Sequence, residues 1–394
     1  MKILLAVPGH LRTVPMGSYC AAALRGLGHE VAVFDSQRRW PDKLLRAAGS
    51  PWVLSRYRGL TGSLLVRRAR RERPEVFLAL FGFDVAEEAV QTLRSWGVVT
   101  ACWWLNDPFQ FPRSLRQAPW YDFYFTNSRG CLADYAGAGV RGVSFLPLAA
   151  DPEIHRRAVL AENEAATYRS DVCFAGDWSP LRQEWITRLL GEFRVRVWGP
   201  WGKKLGADSP IRRVLTDGFF TPGEMVKAFS GAKVVLNLHT WFGKWSHGVN
   251  PRLFEAAGVG ACQVVDRKDE IPDLYRVPEE VVCFESLEEC QGALRYYLAR
   301  DAEREEVGAR AAARTHREHT YAARMRTLLA VIRDGPAGPQ GNLATPPQAG
   351  QPGNLATRQL GNLATGQPGN LATRQPGGQG LRDSSPASPD CRVA

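Results

Sequence analysis

"NPRLFEAAGVGACQVVD", residues 250–266, decides how the chain is read. Asn250 stands where a helix cap belongs, and Pro251 suits a first turn, where its missing N–H costs nothing. Leu253, Phe254 and Ala257 are spaced to pack inward, while Glu255 falls about one turn inside the start. Gly258 and Gly260 let the chain turn, and "ACQVVD" reads as a buried strand that stops at Asp266. A helix feeding a near-continuous apolar strand is the connection of a parallel sheet covered on both faces. The carboxylate has two readings. It is either a solvated helix glutamate or, if the helix start opens on a cleft, an acceptor for two ribose hydroxyls, with Arg252 and the helix end holding adjacent phosphates.

Working outward, the same alternation recurs along the chain. Upstream, strands are expected at "KILLAV" (2–7), "HEVAVFD" (29–35), "EVFLALF" (75–81), "VVTACWWL" (98–105), "YDFYFTN" (121–127) and "GVSFLPLA" (142–149), with an amphipathic helix at 16–28. A polar stretch, 151–170, reads as an interdomain linker. A second series follows at "DVCFAG" (171–176), "FRVRVWG" (193–199), "AKVVLNLH" (232–239), "ACQVVD" (261–266) and "EVVCFE" (280–285). The pattern predicts an α/β protein of two doubly wound, Rossmann-like domains, 1–150 and 171–316, facing a central cleft, with ligands beyond the carboxyl ends of the strands. A last amphipathic helix is expected over 317–334. From about 335 "GNLAT" recurs at Gly341, Gly353, Gly361 and Gly369 among Pro, Gln and Gly. With so few apolar residues to offset ordering entropy, 335–394 is expected to be a disordered tail.

The 394 residues suit two domains, and 44% apolar with 23% charged residues is ordinary for a globular enzyme. No apolar run reaches the ~20 residues of a membrane span. "MKILLAVPGH" has too short an apolar run for a signal peptide and reads as a first strand. Eight scattered cysteines without a CxxC pair point to reduced, buried thiols in a cytoplasmic protein, not to a metal site. Fifty Lys and Arg against forty acidic residues give +10, which favours anionic partners. The basic run "VRRARRERPE" (66–75) reads as a solvated helix face or as contact with an anionic acceptor or the inner membrane surface. No nucleic-acid-binding motif accompanies it.

Individual loops suggest the chemistry. The first strand-to-helix turn, "VPGHLRTVPMGS", lacks the GxGxxG of nicotinamide and flavin enzymes. His10 there is a plain loop residue or a general base for an acceptor hydroxyl. In "CFAGDWSPLR", Ser179 and Pro180 begin a helix whose free N–H groups suit phosphate, and Arg182 adds a possible bidentate contact. "WGPWGKK" (198–204) offers glycines for close approach and Lys203 as a charge. Asp107 in "NDPF" is a turn former or a cleft-facing carboxylate. No acidic pair of the metal-binding kind appears in a convincing loop, so no metal is expected.

With these residues in place, the chain resembles glycosyltransferases of the GT-B architecture, and most of all the group related to the spore maturation protein CgeB. The features are "LRGLGHEVAVFD", "WWLNDPFQF", "FTNSRG", "FLPLAADPEIH", "FAGDWSPLR", "GFFTPGEMVKAFSGAKVVLNLH" and "GVNPRLFEAAGVGACQVVD", across about residues 1–333. The resemblance implies a nucleoside diphosphate sugar, with a UDP-sugar the expected donor, bound mainly by the second domain, and an unidentified acceptor bound mainly by the first. Gly176 and Arg182 would lie by the diphosphate, and Gly218 and Phe219 near the base. Glu255 matches the second glutamate of a Glu-x7-Glu motif. Eight residues earlier stands His247 instead of glutamate, and it would hydrogen-bond donor sugar or phosphate. His10 is similar to the base histidine of inverting members, Asp107 would touch the acceptor or act as base, and a retaining route would let the departing phosphate take the proton. Asn250, Arg252, Glu255 and Lys203 complete the expected donor site. A nucleotide-sugar epimerase or a non-catalytic nucleotide-binding protein would share this architecture.

Overall fold

A computed structural model describes residues 1–8, 15–35, 51–83 and 85–335. His10 and the 335–394 tail beyond residue 335 lie outside the described residues. The first half forms a sheet of β1 (Lys2–Val7), β2 (Glu30–Asp35), β3 (Val76–Leu80), β4 (Val99–Trp104), β5 (Phe123–Thr126) and β6 (Val143–Phe145). The second half forms another, of β7 (Ser170–Ala175), β8 (Val195–Gly199), β9 (Leu215–Asp217), β10 (Ala232–Asn237), β11 (Cys262–Asp266) and β12 (Val282–Phe284). Every pairing is parallel; the orders are β2-β1-β3-β4-β5-β6 and β12-β11-β10-β7-β8-β9. Strands such as β3 and β11 are buried at every residue, as a doubly covered parallel sheet requires.

The helices, in chain order, are α1 (Met16–Gly26), α2 (Pro51–Glu72), α3 (Glu87–Ser95), α4 (Phe111–Gln117), α5 (Cys131–Gly137), α6 (Ala165–Tyr168), α7 (Pro180–Leu189), α8 (Pro222–Gly231), α9 (Arg252–Val259), α10 (Ile271–Leu274), α11 (Leu287–Leu298), α12 (Asp301–Glu318) and α13 (Tyr321–Asp334). The helix expected over 317–334 is in fact two. Its first residues close α12, and the chain then extends through His319 and Thr320 before α13 begins. The reason is local. Thr320 caps α13 by accepting from the Ala323 N–H at 3.2 Å, and Thr320 pairs with Ala150 in an isolated parallel bridge. The edge strand β9 went unread because it is three residues long and only partly buried.

The last helix returns to the first lobe. Met325, Leu328, Leu329 and Val331 of α13 join the core that contains β1, β3 and β4, and α13 packs on α1. Arg324, 2% exposed, anchors the return by donating from Nε to the carbonyls of Pro147 (2.9 Å) and Leu148 (3.1 Å). The seven described cysteines are unpaired, and all but Cys283 are buried. Among the described residues no helix is long and apolar enough to cross a membrane. Because Leu328 is wholly buried in the first lobe's core, Leu328→Ala should destabilise by about 2–5 kcal/mol. Urea unfolding followed by tryptophan fluorescence should show a lower midpoint; an unchanged midpoint would mean that α13 does not dock there.

Candidate active site

The strand order of the second sheet reverses between β7 and β10, and in such sheets ligands bind beyond the carboxyl ends at that switch point. The segment 250–255 converges on it. Arg252 Nε donates to the Ala175 carbonyl at the end of β7 (3.2 Å), and its guanidinium lies 5.4 Å from the Phe220 ring centre. Asn250 exchanges side-chain hydrogen bonds with Asn237 at the end of β10 (2.8 and 3.1 Å). It also accepts from the Leu253 N–H at 3.2 Å, so it performs the capping expected of it although the regular helix starts two residues later. Gln263 completes the amide network, accepting from Asn237 at 2.9 Å and donating to the Leu253 carbonyl at 3.0 Å.

Behind this network sits a buried charge cluster that sequence reading missed. Asp266, at the end of β11, accepts through Oδ1 from the backbone N–H and Nδ1 of His239 (2.6 and 2.7 Å). Its Oδ2 lies 3.0 Å from Lys268 Nζ. His239 Nε2 accepts from the Asn250 N–H at 3.0 Å, so Nδ1 carries the proton and the ring is neutral. Burial lowers the pKa of His239, in keeping with that state. Burial pushes Asp266 up, but the neighbouring His239 and Lys268 outweigh it and hold the carboxyl below its usual range. The available signal was the polar "NLH" ending an apolar strand opposite Asp266.

The expected phosphate contact through Arg182 is corrected. Ser179 does cap α7, accepting from the Arg182 N–H at 3.2 Å. The Arg182 side chain, 6% exposed, turns inward instead. Its Nε and Nη2 donate to the Leu238 carbonyl (2.9 and 2.6 Å) and its Nη1 to that of Asp177 (2.8 Å). Burial lowers its pKa to about 10. The physical reason is that two loop carbonyls at the switch point need donors, and the buried guanidinium supplies them. Gly176 lies directly over it: a Cβ there would stand 3.4 Å from Arg182 Nη1. Nearby, the Gly202 N–H donates to Asp217 (2.7 Å) and the Gly218 N–H to the Gly199 carbonyl (3.2 Å). Lys203 projects from this loop pair to solvent, and Phe219 is 58% exposed beside it.

Glu255 is neither solvated nor remote from the lobe boundary. It is 1% exposed and pairs through Oε2 with Arg252. Its Oε1 is buried without a hydrogen bond, 3.9 Å from His155 Nε2, which is also unpartnered. The hydroxyls of Tyr19 on α1 and Tyr321 on α13 are likewise buried and unpartnered. The Tyr19 ring lies 5.7 Å from His155 and 5.3 Å from Tyr321. Burial, then the Glu255 charge, raises the Tyr19 pKa, and burial lowers that of His155. Four unsatisfied polar groups thus meet where the helix start, the linker and the first lobe join. Native proteins leave few such groups unpaired.

At the seam between lobes, His247 and Asp107 come together through backbone and loop contacts. His247 Nδ1 is 2.7 Å from Ser128 Oγ, and a Cβ on Gly130 would strike the ring at 2.3 Å. Gly248 (φ +81°) packs so closely on the Asp107–Pro108 bond that a Cβ would lie 2.5 Å from Pro108. Glu270 closes the seam by accepting from the backbone N–H groups of Arg129 and Gly248, each at 2.9 Å. The expectation that Asp107 opens on a cleft is corrected: it is fully buried. Its Oδ2 accepts from Thr126 Oγ1 (2.7 Å) and Tyr135 OH (2.8 Å), whereas Oδ1 has no donor. Burial raises its pKa to about 6.

The chain is similar to known proteins in part of its sequence and in its fold. Residues 182–330 match the family described as glycosyl transferase-like. No curated protein matches the chain. Among solved structures, the sucrose-phosphate synthase of Thermosynechococcus elongatus superposes with a TM-score of 0.61 at 11% identity, covering 85% of this chain and 98% of that one. HepE of Anabaena, solved with UDP and glucose, gives 0.59 at 12% identity, covering 85% and 100%. A protein described as a candidate UDP-N-acetylglucosamine 2-epimerase of Listeria monocytogenes gives 0.55 at 10% identity, covering 84% and 96%. The chain has the GT-B fold, and the glycosyl transferase-like match falls within its second half.

Two measurements probe the buried carboxylates. The folded pKa of Asp107 lies above its unfolded value, so its contribution to stability is full below pH 4 and is lost as pH rises through about 6. The shift corresponds to about 3 kcal/mol. The stability difference between Asp107→Asn and wild type, from urea unfolding, should therefore move in the variant's favour from pH 4 to pH 7; a constant difference would refute this. Asp266→Asn leaves Lys268 buried without its counter-charge and should cost about 3–5 kcal/mol, read as a lower thermal midpoint.

Proposed function

We propose that the protein is a glycosyltransferase that moves a sugar from a nucleoside diphosphate donor, a UDP-sugar, to an acceptor hydroxyl. The observation that carries this reading is the Arg252–Glu255 pair at the switch point, its carboxylate buried and Glu255 Oε1 left without a donor. Ribose hydroxyls would satisfy that oxygen. Arg252, the start of α9 and Lys203 supply positive charge for the diphosphate without a metal ion, and the exposed Phe219 ring offers a face to the base. In the transfer, the acceptor oxygen attacks the anomeric carbon and the bond from that carbon to the β-phosphate oxygen breaks. The nucleoside diphosphate departs with the electron pair, and the acceptor proton passes to a base.

The expected bases were His10, which lies outside the described residues, and Asp107, which is enclosed; we assign the base role to His247, expected only as a sugar or phosphate contact. Its Nδ1 is held by Ser128, its side chain is half-buried at the seam, and no described residue bonds its Nε2. Asp107 holds the seam from behind and stays enclosed while the lobes are closed. Closure would exclude water and limit hydrolysis of the donor. The acceptor would be a glycan, a lipid-linked molecule or a protein, met in the cytoplasm or at the inner membrane surface.

Calorimetry with UDP tests the donor site. Glu255→Gln keeps the side-chain shape and should weaken UDP at least tenfold, and unchanged affinity would reject the role given to Glu255. NMR of the nucleotide sugar, with and without candidate acceptors, separates the activities. Transfer requires acceptor-dependent release of UDP, whereas sugar interconversion without acceptor would establish the epimerase reading, which the Listeria structure shares by fold.

A further inference from the structure

A second hollow lies at the opposite end of the second sheet from the switch point. It has a volume of about 410 Å3 and is walled by the amino ends of β7, β10 and β11, the end of α8 and linker residues 157–160. That volume is in the range of small-molecule sites. Its cations are Arg157, Arg169, Arg194, Lys233 and Arg304, and among the described residues Glu305 is the only acid in the wall.

The charges are partly compensated from behind. Asp171 pairs with Lys233 (3.1 Å) and lies 3.9 Å from Arg194, and Asp301 pairs with Arg304 (2.7 Å). Counting both aspartates and Glu305, two positive charges remain. Arg157 and Arg169 are exposed and have no acidic partner among the described residues. At the floor Ser170, 2% exposed, has a buried hydroxyl with no hydrogen-bond partner. A buried donor without an acceptor costs about 1–3 kcal/mol, and here it faces a cationic hollow. One wall is apolar, formed in part by Leu160 and Val259.

We propose that this hollow binds a small phosphate-bearing metabolite. Its phosphate would accept from Ser170 Oγ and pair with Arg157 and Arg169, while its carbon body would lie on the apolar wall. A planar guanidinium presents paired donors that match phosphate oxygens. Because the linker supplies one wall, an occupied site ties the hinge between lobes to the second sheet. The site is separate from the donor site and does not depend on the activity proposed above.

The test titrates the full chain with inorganic pyrophosphate by calorimetry, with and without saturating UDP, and in parallel measures cosedimentation with vesicles containing phosphatidic acid. Wild type should bind pyrophosphate saturably. The surface double variant R157E/R169E should weaken that binding at least tenfold, and Ser170→Ala about threefold or more, with UDP affinity unchanged in both. Vesicle binding lost in R157E/R169E, without pyrophosphate binding, would place the phosphate on a lipid headgroup. Binding of neither probe, or equal binding by wild type and R157E/R169E, would overturn the proposal. Failure of UDP itself to bind would count against the glycosyltransferase reading alone.

Discussion

The buried Asp266 carboxylate organises the second lobe. A lone anion taken out of water is costly, and it is tolerated here because it is met by His239, by a backbone N–H and by Lys268. That arrangement fixes the tautomer of His239, whose remaining nitrogen must accept. The group it accepts from is the Asn250 N–H, the residue at which the chain commits to α9. The position of Arg252 and Glu255 at the switch point therefore follows from a charge cluster one layer beneath them, which no ligand need touch.

The seam between lobes uses a different economy of contacts. It relies on glycine. Gly130 makes room for the His247 ring, and Gly248 lets backbone approach backbone over Pro108. Glu270 then satisfies N–H groups from both lobes with one carboxylate. These contacts are polar, whereas the apolar core around Phe254 and Tyr275 is continuous with that of the first lobe.

How much of this could be read from the amino-acid sequence depended on the range of the interaction. Apolar runs such as "VFLAL" and "VTACWW" announce buried strands by composition alone, and the caps at Ser179 and Asn250 follow from local chemistry. Arg182 was misjudged because a side chain near a helix start can turn outward to a ligand or inward to carbonyls, and only tertiary structure decides. The His155, Tyr19 and Tyr321 neighbours of Glu255 come from three distant segments, so no spacing could have revealed them. The break between α12 and α13 escaped because the helical periodicity continues across it while the pairing with Ala150 interrupts it.

That pairing has a mechanical meaning. The polypeptide crosses between lobes twice, once leaving at Ala150 and once returning at His319–Thr320, and the two crossings are stitched side by side by the Ala150 N–H to the His319 carbonyl (2.9 Å) and the Tyr321 N–H to the Ala150 carbonyl (3.2 Å). A single tether would permit swivelling in any direction. Two laced strands form a leaf spring, compliant to bending across its face and stiff to twist, so any relative excursion of the halves is channelled into opening and shutting about one line.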